Sequence, residues 1–295
     1  MKKLAVKRYT LFVLSILKNS MSSIFQKCLR KISCFLILSG FCTGYFLHGK
    51  AAEHSMIIKT DGSLWGFGRN DTGQLGDGTT TNRNTPTMII SSGVAQVACG
   101  HKHTLVLKTD GSLWTFGQNN YGQLGNGNTT NRSTPLQILP SGVSQVSAGY
   151  YHSLVLKTDG SLWAFGRNHT GQLGNGNTTN LSTPTQILTS GVSKIAAGGY
   201  FSLISKTDGS FWGFGLNGSG QLVDGTTTNR NTPTQSTITS LSKFSSGGEN
   251  SLLLKTDGSL LAVGRNNEGQ LGDGTTTNRN TPTQILSGSV NNFYA

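Results

Sequence analysis

Between residue 51 and the C-terminus, short runs of apolar and β-branched residues alternate with clusters of glycine, asparagine, threonine and aspartate. One stretch shows the pattern clearly, with apolar runs at 103–108, 112–117, 135–139 and 143–148. Asp110-Gly111 joins the first two runs and is a strong hairpin signal, because both positions of a two-residue turn need positive φ. Since no segment of 51–295 shows a helical period, the pattern predicts four short strands and an all-β fold.

The same pattern returns at a fixed interval of 49 residues. The pentapeptide Lys-Thr-Asp-Gly-Ser begins at Lys59, Lys108, Lys157, Lys206 and Lys255, and Gly-Gln-Leu and Thr-Pro keep the same spacing. Five copies therefore follow the first 50 residues: 51–99, 100–148, 149–197, 198–246 and 247–295. Four short strands in a unit of this length are typical of a propeller blade. We predict a β-propeller of five four-stranded blades.

The last copy indicates how such a propeller could close. Val290–Ala295 is in phase with Val94–Cys99, a strand that leads into the first strand of the next copy. The equivalent first strand, His54–Lys59, lies at the start of the first copy. Pairing of these N- and C-terminal strands would close a five-bladed ring and remove exposed sheet edges. An open arc is the alternative.

Large aromatic side chains recur at two positions of the repeat. They are Trp65, Trp114, Trp163 and Trp212 at the first position, and Phe67, Phe116, Phe165 and Phe214 at the second. An aromatic side chain that returns at one blade position most simply packs one blade against the next, which is a structural role. The fifth copy has Leu261 and Val263 instead. We therefore expect its junction to be the least well packed.

Residues 1–51 differ from the repeats and resemble an export leader. Residues 32–47 form an uncharged, largely apolar run that follows Lys27, Arg30 and Lys31. Its Ser, Thr and Gly content favours a signal-peptide core over a transmembrane helix, and cleavage after Ala51 would leave small residues at the recognition positions. Translation from Met21 would give a leader of ordinary length. An uncleaved N-terminal membrane leader is the alternative to a secreted, periplasmic or cell-surface domain at 52–295.

The basic charge of the chain belongs mostly to this leader. Residues 1–50 hold nine of the 24 Lys and Arg and none of the 12 Asp and Glu, so 51–295 keep 15 basic and 12 acidic residues, a net of +3. A nearly neutral domain carries little electrostatic attraction for nucleic acid. Cys99 is the lone cysteine of the repeats, so we interpret it as a small, partly buried apolar side chain.

The ionisable residues of the repeats follow the scaffold and indicate no catalytic, cofactor or metal site. His54, His103 and His152 share one repeat position, which Phe201 and Asn250 hold in the last two copies. A position that accepts three such different side chains indicates a structural role. The acidic residues lie mainly in turns, where Asp or Asn favours the local conformation. The loop 77–82 has oxygen ligands but lacks the alternating acidic residues of a calcium loop.

Arginines and variable loop residues remain as a candidate binding face. Two arginine sets recur in the polar loops, each interrupted in some copies, and neighbouring loop positions differ from copy to copy. Variation on a constant scaffold is how a binding face acquires asymmetry. The candidates are Arg69, Arg83, Tyr121, Arg132, Arg167, His169, Arg230, Arg265, Glu268 and Arg279. We expect a monomer that binds a protein partner through these loops without a cofactor.

The repeat resembles a known family. The sequence His-Ser/Thr-Leu-Val-Leu-Lys-Thr-Asp-Gly-Ser-Leu-Trp-x-Phe-Gly-x-Asn-x-x-Gly-Gln-Leu-Gly is similar to the repeat of the regulator of chromosome condensation family, and all five copies share the resemblance. The resemblance implies a β-propeller, usually of seven blades, so five copies could be a shortened version. Its eukaryotic founder is a nucleotide exchange factor that uses a wedge inserted between strands, for which an invariant 49-residue spacing leaves no room.

The resemblance therefore carries over the fold and not the exchange activity. Secreted relatives that inhibit β-lactamases bind proteins through the loops of one propeller face, which suggests a non-enzymatic binding module. Two alternatives stay open: an exchange-like regulator of a small GTPase, and a glycan-binding or glycan-directed surface protein.

Overall fold

The structure is a computed structural model that describes residues 45–47, 52–288, 290 and 292–295, with the backbone alone at 45–47. All of these residues belong to one unit, Cys42–Ala295. The predicted signal peptide, the start at Met21 and cleavage after Ala51 fall outside the described residues. The described part of the chain holds no helix that is long and apolar enough to cross a membrane.

The described strands form five antiparallel four-stranded sheets, as the repeat predicted. Sheet 1 contains β1 (Tyr45–Leu47), β2 (His54–Ile58), β3 (Leu64–Gly68) and β4 (Arg83–Ile90). Sheet 2 contains β5 (Val94–Cys99), β6 (His103–Lys108), β7 (Leu113–Gly117) and β8 (Arg132–Leu139). Sheet 3 contains β9 (Val143–Ala148), β10 (His152–Lys157), β11 (Leu162–Gly166) and β12 (Leu181–Leu188).

The last two sheets repeat this order. Sheet 4 contains β13 (Val192–Ala197), β14 (Phe201–Lys206), β15 (Phe211–Gly215) and β16 (Arg230–Gln235). Sheet 5 contains β17 (Leu241–Ser246), β18 (Asn250–Lys255), β19 (Leu260–Gly264) and β20 (Arg279–Leu286). Strands β5, β9, β13 and β17 contact one another in sequence, so the first strand of each sheet is the innermost. All-β sheets arranged in this way are the blades of a β-propeller.

Each of sheets 2 to 5 combines two copies of the sequence repeat. The last strand of copy one, β5, pairs with β6 of copy two, with Val97 opposite Val106. The same pairing joins β9 to β10 and β13 to β14. Because sheets 2 to 5 each take their inner strand from the preceding copy, hydrogen-bond ladders tie consecutive copies together, whereas the inner strand of sheet 1, β1, precedes the first copy.

The predicted pairing of the N- and C-terminal strands is wrong. The edge of β2 is occupied by β1, with Tyr45 opposite Ile58, so this edge is not free for the C-terminal segment. The described residues of 290–295 form no strand. Instead, the Ala295 amide donates to Ser245 Oγ at 3.1 Å, which repeats the bond from the Ala197 amide to Ser147 Oγ at 2.9 Å. The C-terminal segment therefore lies against β17 as each inner strand lies against the one before it.

The hairpin prediction also needs a correction, because only the glycine of each Asp-Gly pair has positive φ. Gly111 has φ of 78°, and Asp110 is not among the positive-φ residues. The Lys108 amide donates to the Ser112 carbonyl, so the loop spans three residues rather than two. Asp110 Oδ1 accepts hydrogen bonds from the Ser112 amide and hydroxyl. A type I turn followed by a left-handed glycine fits this geometry.

The recurrent aromatic residues pack at the junctions between blades. At the second junction, Phe165 of sheet 3 is fully buried with Leu105 and Leu113 of sheet 2, and Trp163 packs against the same cluster. A side chain at Gly125 of sheet 2 would meet the Phe165 ring at 2.9 Å. The ring therefore needs a glycine opposite it, and the first and third junctions repeat the pair as Gly76 with Phe116 and Gly174 with Phe214.

The fourth junction departs from this arrangement. Val223 replaces the glycine and keeps a positive φ of 65°, and Val263 replaces the phenylalanine. The smaller Val263 leaves room for the Val223 side chain, and both are buried in one cluster. Ser240 likewise replaces a positive-φ glycine, with φ of 61°. A cleft of about 370 Å³ opens beside Leu261 at this junction.

Candidate binding face

Two kinds of loop meet at one end of the propeller, because the antiparallel strand order brings them to the same side. We call the segments between the first and second strands of each sheet the connectors: 52–53, 100–102, 149–151, 198–200 and 247–249. We call the segments between the third and fourth strands the long loops: 69–82, 118–131, 167–180, 216–229 and 265–278. The Gln118 amide donates to the Lys102 carbonyl at 2.7 Å, and the Arg167 amide to the Tyr151 carbonyl at 2.8 Å. The connectors and the long loops together form one end of the propeller, which we call the upper face.

A fully buried asparagine organises each long loop. Asn119 Oδ1 accepts the Leu124 amide, and its Nδ2 donates to Asn126 Oδ1 and the Asn128 carbonyl, all at 2.9 Å. The other copies place Asn70, Asn168, Asn217 and Asn266 in the same role. Since one side chain satisfies several backbone groups, the long loops are rigid platforms rather than flexible linkers.

One predicted arginine set braces these loops. Arg83, Arg230 and Arg279 each begin the fourth strand of a sheet and contact an aspartate of the preceding long loop at 2.6–2.8 Å: Asp77, Asp224 and Asp273, respectively. Burial disfavours the Asp77 carboxylate, yet hydrogen bonds from Thr79, Arg83 and Asn70 outweigh burial and lower its pKa. In the second copy Asn126 stands at the aspartate position, and Arg132 Nη2 donates instead to Thr134 Oγ1 at 3.4 Å. Arg83, Arg230 and Arg279 are therefore engaged in holding the loop shape.

The second arginine set lies closer to the connectors. Arg69 bonds to Glu53 and Asp71, and Lys102 also reaches Asp71 at 3.1 Å. Burial disfavours the charged form of Asp71, but these hydrogen bonds outweigh burial and lower its pKa to about 2. Arg265 pairs with Glu249 at 3.4 Å. At both flanks of the face, each arginine thus has a carboxylate partner.

Arg167, the central member of this set, has aromatic partners. Its guanidinium carbon lies 5.0 Å from the ring centroid of Tyr121, 5.7 Å from that of Tyr151 and 5.3 Å from that of Tyr200. Its Nε donates to His169 Nδ1 at 3.2 Å. Contacts between a cation and several ring faces hold the guanidinium in place without neutralising its charge.

The rings around Arg167 form a continuous cluster. Tyr121 and Tyr151 meet edge to face at 5.4 Å, Tyr151 and His101 at 5.5 Å, and Tyr150 and Tyr200 at 5.2 Å. Tyr151 Oη also lies 3.2 Å from His101 Nδ1. We define the aromatic cluster as His101, Tyr121, Tyr150, Tyr151, His169 and Tyr200 around Arg167. Its members come from sheets 2, 3 and 4, so the cluster covers three blades.

Neighbouring glycines make room for this cluster. A side chain at Gly199 would meet the Tyr150 ring at 2.9 Å, and one at Gly248 would meet the Tyr150 hydroxyl at 2.5 Å. The connectors are also linked directly, because the Tyr150 amide donates to the Gly199 carbonyl and the Gly199 amide to the Gly248 carbonyl, both at 3.0 Å. Burial raises the pKa of both Tyr150 and Tyr151, so their hydroxyls stay protonated at neutral pH. The cluster is therefore a preformed surface.

The recurrent histidines lie below this face and belong to the junctions. His103 is fully buried, and its Nε2 contacts Ser153 Oγ at 3.1 Å. That hydroxyl donates to the Gln123 carbonyl at 2.8 Å, so the imidazole is the donor to the hydroxyl. Burial lowers the pKa of His103 to about 3 and, likewise, that of His54 to about 4. Over the described residues, no three His, Cys, Asp or Glu side chains come together as a metal site.

The sequence model of the RCC1-like domain family matches residues 49–293. This range covers most of the chain and every described strand except β1. The chain belongs to the RCC1-like domain family. Protein RCC2 homolog of Danio rerio is 40% identical over 76 residues, which cover 25% of this chain and 14% of that protein. Protein RCC2 of Homo sapiens is 38% identical over 66 residues, 21% of this chain and 13% of that protein. The matched segments thus span about a seventh of these relatives.

Solved structures agree in fold. Human WBSCR16 superposes with a TM-score of 0.71 at 23% identity, over 82% of this chain and 67% of that one. Prp20p of Saccharomyces cerevisiae superposes with a TM-score of 0.67 at 18% identity, over 82% of this chain and 76% of that one. Its structure was described together with its binding to Gsp1p and histones. At these identities the likeness shows the β-propeller fold alone.

Among the predicted face residues of this RCC1-like chain, three join the aromatic cluster: Tyr121, Arg167 and His169. Glu268 is exposed in the fifth long loop. The other members of the cluster are not among the predicted face residues: Tyr150, Tyr151, Tyr200 and His101. These residues occupy connector positions that differ between copies, which is the signal that singled out Tyr121 and His169.

Proposed function

We propose that this RCC1-like propeller is a non-enzymatic binding module that holds a protein partner on its upper face. The observation that carries the proposal is the aromatic cluster around Arg167. Tyrosine and arginine dominate the energetics of protein interfaces, because both combine large contact area with hydrogen bonding, and tyrosine loses little conformational entropy. The cluster is also preformed, which reduces the cost of ordering on association.

The electrostatics of the face support a protein partner with a matching acidic group. Arg69 and Arg265 are each paired with carboxylates, whereas the described contacts of Arg167 are tyrosine rings and His169. A carboxylate from the partner could therefore pair with Arg167 at the centre, where surrounding rings exclude water and strengthen the interaction.

The export of the domain is part of the same proposal, and it rests on the apolar run and small-residue exit of residues 32–51. A partner would then be sought outside the cytoplasm. A small GTPase is the second candidate, supported by family membership and by the reported binding of Prp20p to Gsp1p. Mass-spectrometric determination of the mature N-terminus separates the two, because an intact leader in a cytosolic protein contradicts export.

The test of the face is capture of a partner from the surrounding medium, followed by affinity measurements on point variants. Arg167→Ala and Tyr151→Ala should each weaken binding by about 2 kcal/mol, roughly thirtyfold, as expected for central interface residues. Thr109→Ala, in an exposed hairpin at the opposite end, is the matched control and should leave binding unchanged. Equal loss from all three variants, or loss only from Trp163→Ala at a junction, would contradict an upper-face site.

A further inference from the structure

The cleft at the fourth junction occupies the place of a missing indole. Its lining includes Val223 and Ile238 of sheet 4, and Lys255, Leu261 and Pro282 of sheet 5. Leu261 stands at the repeat position that the four tryptophans hold in the other copies. The cleft therefore lies at the repeat position that a tryptophan side chain occupies in the other four copies, a position that we call the slot.

The four tryptophans show which contacts hold an indole at this repeat position. In each one, the indole N–H donates to a serine hydroxyl two residues earlier, at 2.7–2.9 Å. In each one, a lysine ammonium lies over the ring, at 4.0–5.2 Å from its centroid. The slot thus combines an N–H acceptor with a cation that favours the face of an electron-rich ring.

The fifth copy keeps both polar elements although it lacks the indole. Ser259 is buried, and its hydroxyl donates to Asp257 Oδ1 at 2.5 Å. The hydroxyl oxygen can still accept a hydrogen bond, as the equivalent Ser112 oxygen does from the indole N–H of Trp114. Lys255 lies on the cleft wall and contacts Asp257 at 3.2 Å. Lys59 makes the same contact with Asp61 at 3.7 Å while it covers Trp65, so the contact is compatible with an occupied slot.

The opposite wall is also altered in a way that leaves space. At the second junction, Ile138 and Leu139 of sheet 2 pack against the cluster that Trp163 covers. The equivalent residues of sheet 4 are Ser236 and Thr237, and β16 ends at Gln235, two residues before the equivalent end of β12. With a leucine on one side and a shortened strand on the other, the cleft reaches about 370 Å³, enough for a bicyclic ring.

We propose that the cleft beside Leu261 is a binding site for an indole ring, under Lys255 and directed towards Ser259. The site does not include the aromatic cluster around Arg167 and does not depend on the protein-binding proposal. The ring can belong to a free indole compound or to a tryptophan side chain of a peptide, which present the same chemistry.

The experiment is a ¹⁹F NMR titration of the full domain with 5-fluoroindole and, in a parallel arm, with the amide of N-acetyl-5-fluorotryptophan. Wild-type protein should bind 5-fluoroindole at one site with a dissociation constant of about 1 mM, as expected for so small a ligand. Equal binding of the amide assigns the site to tryptophan side chains, and binding of 5-fluoroindole alone assigns it to free indoles.

Substitutions of Leu261 and Lys255 test whether the ligand binds in this cleft. Leu261→Trp should abolish binding because the protein then fills its own slot, and Leu261→Gly should tighten binding about tenfold because the ring can reach Ser259. Lys255→Ala should weaken binding, while Lys206→Ala, which uncovers the filled slot of Trp212, should leave it unchanged. Absence of binding to the wild type, or binding that Leu261→Trp and Lys255→Ala do not alter, would overturn the proposal.

Discussion

The second and fourth junctions of the propeller use the same repeat positions with different residues. At the second junction, Gly125 opposes Phe165 and Trp163 covers the cluster. At the fourth, Val223 opposes Val263 and a leucine stands in place of the tryptophan. The substitutions are matched, because loss of the phenyl ring makes room for the valine.

The comparison shows that a repeat can diverge in pairs without changing its spacing. The fourth junction also gains an edge-to-face contact between Phe211 and Phe244, with ring centroids 5.0 Å apart. That contact offsets part of the lost aromatic packing. It does not remove the backbone strain at Val223 and Ser240, since positive φ costs non-glycine residues about 1–2 kcal/mol.

The largest expected effect comes from truncating equivalent residues at the two junctions. Trp163→Ala should reduce the free energy of unfolding by about 3–5 kcal/mol, because it removes an indole from a packed cluster. Leu261→Ala, beside the cleft, should cost less than about 2 kcal/mol. Urea unfolding of both variants measures the difference. Equal losses would show that the two junctions are equally well packed.

The next largest expected effect is a difference in acid sensitivity between the second and fourth junctions. The pKa of His103 is about 3 in the folded state, so the unfolded chain binds a proton below pH 6.5 that the folded chain does not bind. The contribution of His103 to the free energy of unfolding is therefore fully present above pH 6.5. It is lost as the pH falls towards 4, which lowers the free energy of unfolding by about 3 kcal/mol.

The fourth junction has Phe201 at the same position, which cannot titrate. His103→Phe should accordingly remove this share of the acid sensitivity, measured as the difference in unfolding free energy between pH 7 and pH 4.5. Asp110→Asn, in an exposed turn, is a control for general charge effects. An unchanged acid response in His103→Phe would contradict the assignment.

A double-mutant cycle tests whether the valines are a matched pair. Val263→Phe alone should destabilise the protein by about 1–3 kcal/mol, since the ring meets the Val223 side chain. Adding Val223→Gly restores the pair seen at Gly125 and Phe165. The cycle should give a favourable coupling of about 1–3 kcal/mol in denaturant unfolding. Additive effects would mean that the two residues do not share this space.

The smallest expected effect is a gain at Ser240. Ser240→Gly should stabilise the protein by about 1 kcal/mol, because glycine adopts the observed φ of 61° without strain. Ser141→Gly, next to the native Gly142 of the second junction, is the matched control and should give no gain. A thermal unfolding midpoint that rises in both variants would point to a cause other than strain.

The repeat spacing was enough to predict five four-stranded sheets, because hairpin signals and apolar runs recur in phase. It could not predict which strand belongs to which sheet, since a period has no preferred starting point. The sequence places Tyr45–Leu47 in the predicted leader because these residues are uncharged and largely apolar. Those properties are equally typical of an inner strand, so only the backbone pairing separates the two readings.

The binding face was predicted in part for a similar reason. The pairing of Arg83 with Asp77 could have been foreseen, since the copies with this arginine and aspartate six residues apart are the first, fourth and fifth. The aromatic cluster could not, because Tyr121, Tyr151 and Tyr200 lie far apart in sequence. They meet only when consecutive blades bring their loops together.

Hydrogen–deuterium exchange with and without a captured partner tests whether the upper face around Arg167 is the binding surface. We predict protection on binding at 100–102, 118–121, 149–151, 167–170 and 198–200, with unchanged exchange at the opposite hairpins such as 109–111. Protection confined to those hairpins, with none around Arg167, would contradict it.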